Sequence, residues 1–422
     1  MLLSVVIAAA LAVAHADVIS FPTFASPTFA SPLAAQAFSL NKQQTHKSRL
    51  PELLAHVNVS TKMFGDIYPL GIYYTRVTIG NPPQAFNVAL DTGSGTLIVP
   101  DANCKGCSTT GNRFDSSKSS SIKPVRCDAS QSCDNYCGFA GAAVSQQCTF
   151  SNSYQTCNLK NPNTVCTIQG PVYEDDFTLG GLKARAAFGS ITYQTPFFQQ
   201  LMVIDGIVGL AGETSFHQKE PIPALAATGQ IADQFAFCFA NRTQGRFMLG
   251  GAAPGTYDAN NIQWIPLVSE YAISMTDLQV AGVSTGFSAQ SIIIDSGTNV
   301  LLLDEDSLSG VQQQLTQSCP TCAHVNSIFN GGCFNFTNAE LAAYPPLQLV
   351  FGSAVLTMPP RSYLVEHPGH FNARCLGIIS TGPGGMLIIG DTLMWEYTMI
   401  IDRTNFQVGW SPVNVKGCGA RF

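Results

Sequence analysis

Ala89-Leu90-Asp91-Thr92-Gly93-Ser94 is answered 204 residues later by Ile293-Ile294-Asp295-Ser296-Gly297-Thr298. Both stretches read apolar, apolar, Asp, hydroxyl residue, Gly, hydroxyl residue, and both lead into another apolar run, Thr96 to Val99 and Val300 to Leu303. Farther on, each is matched by a second apolar step ending in glycine, Ile207-Val208-Gly209 and Ile388-Ile389-Gly390. On average composition an Asp-[Ser/Thr]-Gly-[Ser/Thr] quartet arises by chance in roughly a few per cent of chains this long. Two framed copies half a chain apart therefore imply a duplicated lobe that supplies one Asp from each half.

A strand that ends on Asp and turns through Thr-Gly or Ser-Gly sets its carboxylate at a tight turn, where glycine lets another backbone come close. Two such turns related by a pseudo-two-fold would face each other. Carboxylates about 3 Å apart at an effective dielectric of 20 repel by about 5 to 6 kcal/mol, or roughly 4 pKa units, so they must share one proton. The charged member can then act as general base on a water, and the protonated member can donate to a carbonyl oxygen. This hydrolyses an amide with no metal, no cofactor and no covalent intermediate. Ser94 and Thr298 are placed to donate a hydroxyl hydrogen bond to their own Asp, and Thr92 and Ser296 to tie each turn to the opposite lobe.

The rest of the sequence fits such a body. Apolar residues make up 45% of the 422 and charged residues only 11%, which excludes a disordered chain or a nucleic-acid-binding polyelectrolyte. Fourteen cysteines, an even number, point to an oxidising compartment. Leu2 to Ala14 form an apolar run ahead of Ala14-His15-Ala16, a small-x-small pattern that predicts a secretory signal over residues 1–16. Residues 17–66 contain no cysteine, repeat Pro-Thr-Phe-Ala-Ser at 22 and 27, and carry Lys42, Lys47, Arg49 and Lys62. Up to position 65 the charge is +2, so of the total of −6 the remainder holds −8. A basic leader before an acidic body predicts a removable pro-segment held partly by charge.

From residue 67 onward, short β-branched and aromatic runs alternate with Gly, Pro, Asn and Ser. Strands are expected at 72–79, 85–90, 96–99, 172–179, 271–280, 291–294, 386–389 and 397–401. Helical periodicity is brief, near Ile222 to Ala227 and Leu308 to Gln317. The body reads as all-β.

With these residues in view the chain resembles the pepsin-type aspartic endopeptidases from about residue 68 to 415. The stretches that carry the likeness are YYTRVTIGNP at 73–82, DTGSGTLIVP at 91–100, IDGIVGL at 204–210, IDSGTNVL at 294–301 and the run from Ile389 to Trp410. Two carboxylates sharing one proton are that family's own established chemistry. The resemblance implies a bilobal double-ψ fold with pseudo-two-fold symmetry, lobes at 67–245 and 246–422, and a cleft between them. It implies Asp91 and Asp295 as the catalytic pair, with Thr92, Gly93, Ser94, Ser296, Gly297 and Thr298 supporting it. It also implies bridges Cys238–Cys418 and Cys333–Cys375, which would leave Cys319 for Cys322. A local pair Cys157–Cys166 is expected in the first lobe, whose eight cysteines otherwise stay unassigned. That cysteine-rich lobe resembles the nepenthesin-like and plasmepsin V-like branches more than pepsin.

Where the family places a Trp after the first quartet this chain has Ile98, so the usual indole hydrogen bond to the flap tyrosine is absent. Tyr154 is the expected flap residue. The resemblance further implies a monomer made as a zymogen, with an extended polypeptide as substrate and its own pro-segment as intramolecular inhibitor. It would act at acidic pH, secreted or in an acidic vacuole or lysosome, with no nucleic acid partner and no membrane anchor. A catalytically silent homologue, serving as a binding or inhibitor protein, is the alternative within the same fold.

Other motifs read as decoys. Cys104-x-x-Cys107 and Cys319-x-x-Cys322 have zinc-knuckle spacing but lie over 200 residues apart. His367 and His370 are separated by Pro and Gly, which no zinc-protease helix tolerates. Gly282-Val-Ser284-Thr-Gly286 matches a serine-hydrolase elbow but sits between strand-like runs. Asn58, Asn241 and Asn335 open glycosylation sequons.

Overall fold

The computed structural model describes residues 58–66, 71–126, 147–154, 166–195, 204–211, 220–269, 271–366 and 373–419. The expected signal, most of the leader, the pair His367 and His370, and Cys157 lie outside these residues.

The first half contributes β1 (Val59–Asp66), β2 (Ile72–Ile79), β3 (Gln84–Asp91), β4 (Leu97–Lys105), β5 (Lys123–Pro124), β6 (Thr149–Tyr154), β7 (Cys166–Leu179), β8 (Leu182–Gln194), β9 (Gly206–Gly209), β10 (Gln234–Asn241) and β11 (Gln244–Leu249). The second contributes β12 (Gln263–Pro266), β13 (Ala272–Met275), β14 (Asp277–Val280), β15 (Val283–Ser284), β16 (Ala289–Ile294), β17 (Leu301–Leu303), β18 (Phe334–Asn335), β19 (Leu347–Phe351), β20 (Ala354–Met358), β21 (Leu364–Glu366), β22 (Ala373–Leu376), β23 (Ile378–Ser380), β24 (Ile388–Ile389), β25 (Tyr397–Asp402) and β26 (Gln407–Pro412). Among the described residues helices are short, the longest being Glu305–Ser318, whose first turn is capped by the Asp304 carboxylate on the Ser307 N–H. The other expected helix runs Pro221–Ala226, with proline preset for its first turn. Between β7 and β8 the chain reverses on Gly180 and Gly181, both at positive φ, as a two-residue hairpin requires.

The duplication seen in the sequence is built twice in hydrogen bonds. In the first half β3 runs parallel to β9, β9 antiparallel to β4, and β4 parallel to β8. In the second, β16 runs parallel to β24, β24 antiparallel to β17, and β17 parallel to β23. Both crossings need the glycine that ends the second apolar step. A methyl group built on Gly209 would lie 2.1 Å from the Thr96 nitrogen, and one on Gly390 would lie 2.3 Å from the Val300 oxygen. The fold is thus the all-β, pseudo-two-fold, double-ψ architecture of the pepsin type.

The positions 66 and 245, expected as the ends of the pro-segment and of the first lobe, both fall within strands. Residues 59–66, placed above in the pro-segment, form β1, which pairs with β11 from Val59↔Leu249 to Phe64↔Gln244 and with β2 at Phe64↔Tyr74. Val59, Thr61 and Met63 alternate with polar residues except Phe64, and Met63 is wholly buried. Position 245 falls inside β11, in a fourteen-stranded sheet where β10 and β11 from the first half join β25, β26 and β12 from the second. One large apolar core accordingly runs through residues of both halves.

A second, smaller cluster lies in the first half. Ile98 is buried there with Cys104, Cys107, Cys148, Phe150, Ile168 and Val172. An aliphatic side chain where the family has an indole thus packs into the strands that lead to the β6–β7 hairpin.

Candidate active site

The strand pairings bring the two quartets face to face. The Thr92 hydroxyl donates to the Ile294 carbonyl (2.8 Å) and accepts from the Ser296 N–H (2.9 Å). In mirror fashion the Ser296 hydroxyl donates to the Leu90 carbonyl (2.8 Å) and accepts from the Thr92 N–H (3.1 Å). Four reciprocal bonds, all buried, lock one turn to the other.

This lock sets the carboxyls against each other. Asp91 and Asp295 are each 1% exposed and lie within hydrogen-bonding reach of one another. Each is held by its own turn. Oδ1 of Asp91 accepts the Gly93 N–H at 2.9 Å, and Oδ1 of Asp295 accepts the Gly297 N–H at 2.8 Å. Oδ2 of Asp91 accepts the Ser94 hydroxyl, and Oδ2 of Asp295 accepts the Thr298 hydroxyl at 2.7 Å. The glycines are obligatory for contact rather than for turn shape. A methyl on Gly93 would stand 2.6 Å from Oδ1 of Asp295, and one on Gly297 would stand 2.6 Å from Oδ1 of Asp91.

Burial raises the pKa of Asp91, although the Ser94 hydroxyl pulls the other way. Asp295 is pushed well above the usual carboxylate range by burial and then by the charge of Asp91. One proton shared between the two relieves both penalties. All eight residues singled out in the quartets are therefore brought together.

The remaining predicted positions are elsewhere. Tyr154 ends β6, its backbone paired with Cys166; its side chain lies outside the described residues, as does the Cys157–Cys166 pair. The structure contains bridges Cys238–Cys418, Cys333–Cys375, Cys319–Cys322 and Cys104–Cys107. Both Cys-x-x-Cys motifs are thus closed on themselves as disulfides. Ser284 donates its hydroxyl to Asp277 (2.6 Å) in the turn between β14 and β15, not at a strand-to-helix elbow. Asn241 and Asn335 are exposed, and the Asn58 side chain donates to the Ala252 carbonyl at 3.2 Å.

Two features were not singled out in the sequence. Asp391 follows Gly390, donates its N–H to the Thr298 carbonyl (2.9 Å), and is 1% exposed with neither carboxyl oxygen hydrogen-bonded. Burial, then the charges of Asp295 and Asp91, push it well above the usual carboxylate range. Setting Ile207-Val208-Gly209-Leu210 against Ile388-Ile389-Gly390-Asp391 would have exposed it as a mismatch in the repeat. The second feature is Arg403, whose buried guanidinium joins Tyr271, Asp233 and Glu220 near Leu210.

Comparison with known proteins agrees with this geometry. The family model for eukaryotic aspartyl protease matches residues 72–413. Aspartic proteinase 39 of Arabidopsis thaliana is 25% identical over 407 residues, covering 90% of this chain and 82% of that protein. Pepsin A of Suncus murinus is 25% identical over 361 residues, covering 81% of each. Pepsin A of Bos taurus is 25% identical over 360 residues, covering 81% of this chain and 84% of that protein.

Proposed function

Because the chain belongs to the eukaryotic aspartyl protease family and is an aspartic-type endopeptidase, we propose that Asp91 and Asp295 are its catalytic pair. The observation that carries this reading is the contact between the two carboxyls, each gripped by its own hydroxyl and turn N–H. The pair shares one proton; burial and then the charge of Asp91 push Asp295 well above the usual carboxylate range, and it is taken as the donor. Asp91, whose charge the Ser94 hydroxyl stabilises, takes a proton from water as the water oxygen attacks the peptide carbonyl carbon. Asp295 gives its proton to the carbonyl oxygen. Collapse of the tetrahedral species sends a proton to the amide nitrogen, breaks the C–N bond and returns the pair to its singly protonated state. An extended polypeptide lying in the cleft is the substrate, with Tyr154 in the hairpin that covers it.

Activity belongs to acidic pH, where one proton stays on the pair. The chain is made as a zymogen with a signal over residues 1–16, secreted or sent to an acidic vacuole or lysosome, and works as a monomer. Its basic leader inhibits the body until carboxylate partners protonate. Because β1 is a sheet member, a leader cut upstream of Asn58 leaves the body whole, while a cut after Asp66 leaves β1 held by pairing alone. Asn241 and Asn335 are the exposed glycan acceptors.

The silent-homologue alternative finds no support in the site, since both acids, both hydroxyl donors and both glycines are in place. Digestion of a denatured protein at acidic pH, with and without pepstatin, tests the assignment. Cleavage that pepstatin blocks is expected; cleavage that pepstatin leaves untouched would overturn it.

A further inference from the structure

Thr92 and Ser296 are not the only connection between the two acidic turns. The Leu210 N–H donates to the Asp91 carbonyl (2.8 Å), and the Leu210 carbonyl accepts the Tyr271 hydroxyl (2.7 Å). The Tyr271 carbonyl in turn accepts the Ile294 N–H (2.9 Å), the residue just before Asp295. One buried tyrosine thus spans from the peptide of one acid to the peptide preceding the other. Its hydroxyl is clamped by Nη1 of Arg403 at 2.8 Å, which also reaches the Leu210 carbonyl at 3.4 Å and the Ala211 carbonyl at 3.5 Å. The Ala211 N–H donates to the Ser94 carbonyl (2.9 Å), so the same guanidinium backs the loop that orients Asp91. Arg403 is itself held by Asp233 (3.1 Å) and Glu220 (3.7 Å). Tyr271 also adopts φ +49°, a costly conformation for a bulky residue, which only a well-determined surrounding sustains.

We propose that Tyr271, with Arg403 clamping its hydroxyl, is a positioning residue that fixes the separation of Asp91 and Asp295 and so sets the width of the pH range over which they share one proton. This rests on the catalytic reading above. The coupling between two carboxyls falls with their distance, so loosening the span draws the two apparent pKa values of the pair together. The groups facing the pair are Asp391 and the hydroxyls of Ser94 and Thr298; those facing Tyr271 are Arg403, Asp233 and Glu220. None of these is removed by Tyr271→Phe, which deletes only the hydroxyl.

The test is kcat and KM against pH on one peptide substrate for the wild type, Tyr271→Phe and Arg403→Lys, with Ile328→Val as a destabilised control buried in the second half. For Tyr271→Phe the expected result is a kcat about fivefold lower at its optimum, KM within about twofold, and a narrowed bell. Arg403→Lys keeps the charge but loses the fork, and is expected to narrow the bell less. Ile328→Val lowers the melting temperature and leaves the bell unchanged. A bell of wild-type width in Tyr271→Phe overturns the proposal, and should that variant fail to fold, wild-type width in Arg403→Lys does so. A wild type without pepstatin-sensitive cleavage removes the catalytic reading, and this inference with it; a wild type that cleaves leaves the bell width as the deciding measurement.

Discussion

The two acidic turns share their cross-lobe bonds and the grip of hydroxyl and glycine N–H on each carboxyl, yet what stands behind them differs. After Gly209 comes Leu210, apolar and buried, whose N–H meets the Asp91 carbonyl; only the next residue, Ala211, reaches Ser94. After Gly390 comes Asp391, whose N–H goes directly to Thr298. The backing segment is thus shifted by one residue between the halves, and the shift puts a carboxyl where a neutral peptide would otherwise lie. Backbone duplication gives two matching arms, but the residue after the glycine differs in kind, a buried leucine behind the first and a buried carboxyl behind the second.

The harshest way to break the comparison is to remove either acid. Asp91→Asn or Asp295→Asn is expected to cost at least about a thousandfold in kcat while the protein stays folded, since the amide keeps the volume and the hydrogen-bonding turn. Circular dichroism confirms folding, and peptide cleavage supplies the rate. Full activity in either variant would refute the pair. Next come the glycines. A methyl at Gly93 or Gly297 meets the opposite carboxyl at 2.6 Å, so each Gly→Ala change should displace the acid it touches and cost about a hundredfold. Equal losses would show that the arms are mechanically equivalent, and one tolerated alanine would show that they are not.

The hydroxyl donors sharpen the comparison further. Ser94→Ala strips Asp91 of a bond that favours its charged form, whereas Thr298→Ala does the same to the acid taken as the donor. The loss is expected to be about tenfold for Ser94→Ala and smaller for Thr298→Ala. With Ser94 gone the Asp91 pKa rises, so the acidic limb of the kcat profile should move to higher pH, which a pH series on one substrate would reveal.

Much of this was legible in the residues. The paired quartets predicted both turns, the cross-lobe ties of Thr92 and Ser296, and the supporting hydroxyls, because these roles depend on residue type and short spacing alone. Strands at 72–79 and 397–401 appeared with little shift because their apolar runs are long and bounded by turn residues. Val59–Asp66 is hidden in the sequence: its alternation is weak and its basic residue suits a leader, while its partners in β11 lie 180 to 190 positions away. Asp391 and Tyr271 were hidden for a related reason. Each acts through residues distant in the chain, Asp391 by facing the pair and Tyr271 by bridging it, and neither function marks its neighbours in sequence. Only lining up the two halves, residue against residue, shows the Asp391 mismatch.

Asp391 is where the smallest effect on rate should accompany a clear effect on stability. Its folded pKa is raised above the ordinary 3.8, so the folded protein retains a proton that the unfolded chain releases above that pH. Stability is then greatest at acid pH and falls as pH rises from about 4 towards the folded pKa, by about 1.4 kcal/mol for each pH unit crossed. Asp91 and Asp295 add slopes of the same sign, so the whole slope cannot be assigned to one acid. The difference between wild type and Asp391→Asn can. The amide brings its own unpartnered polar atoms, but that cost is constant with pH and shifts the curve without tilting it. Melting temperatures from pH 4 to 6 should therefore fall less steeply in Asp391→Asn than in the wild type, with kcat at the optimum within about twofold. Parallel curves would mean that Asp391 holds no extra proton in the fold over this range, which would refute its raised pKa.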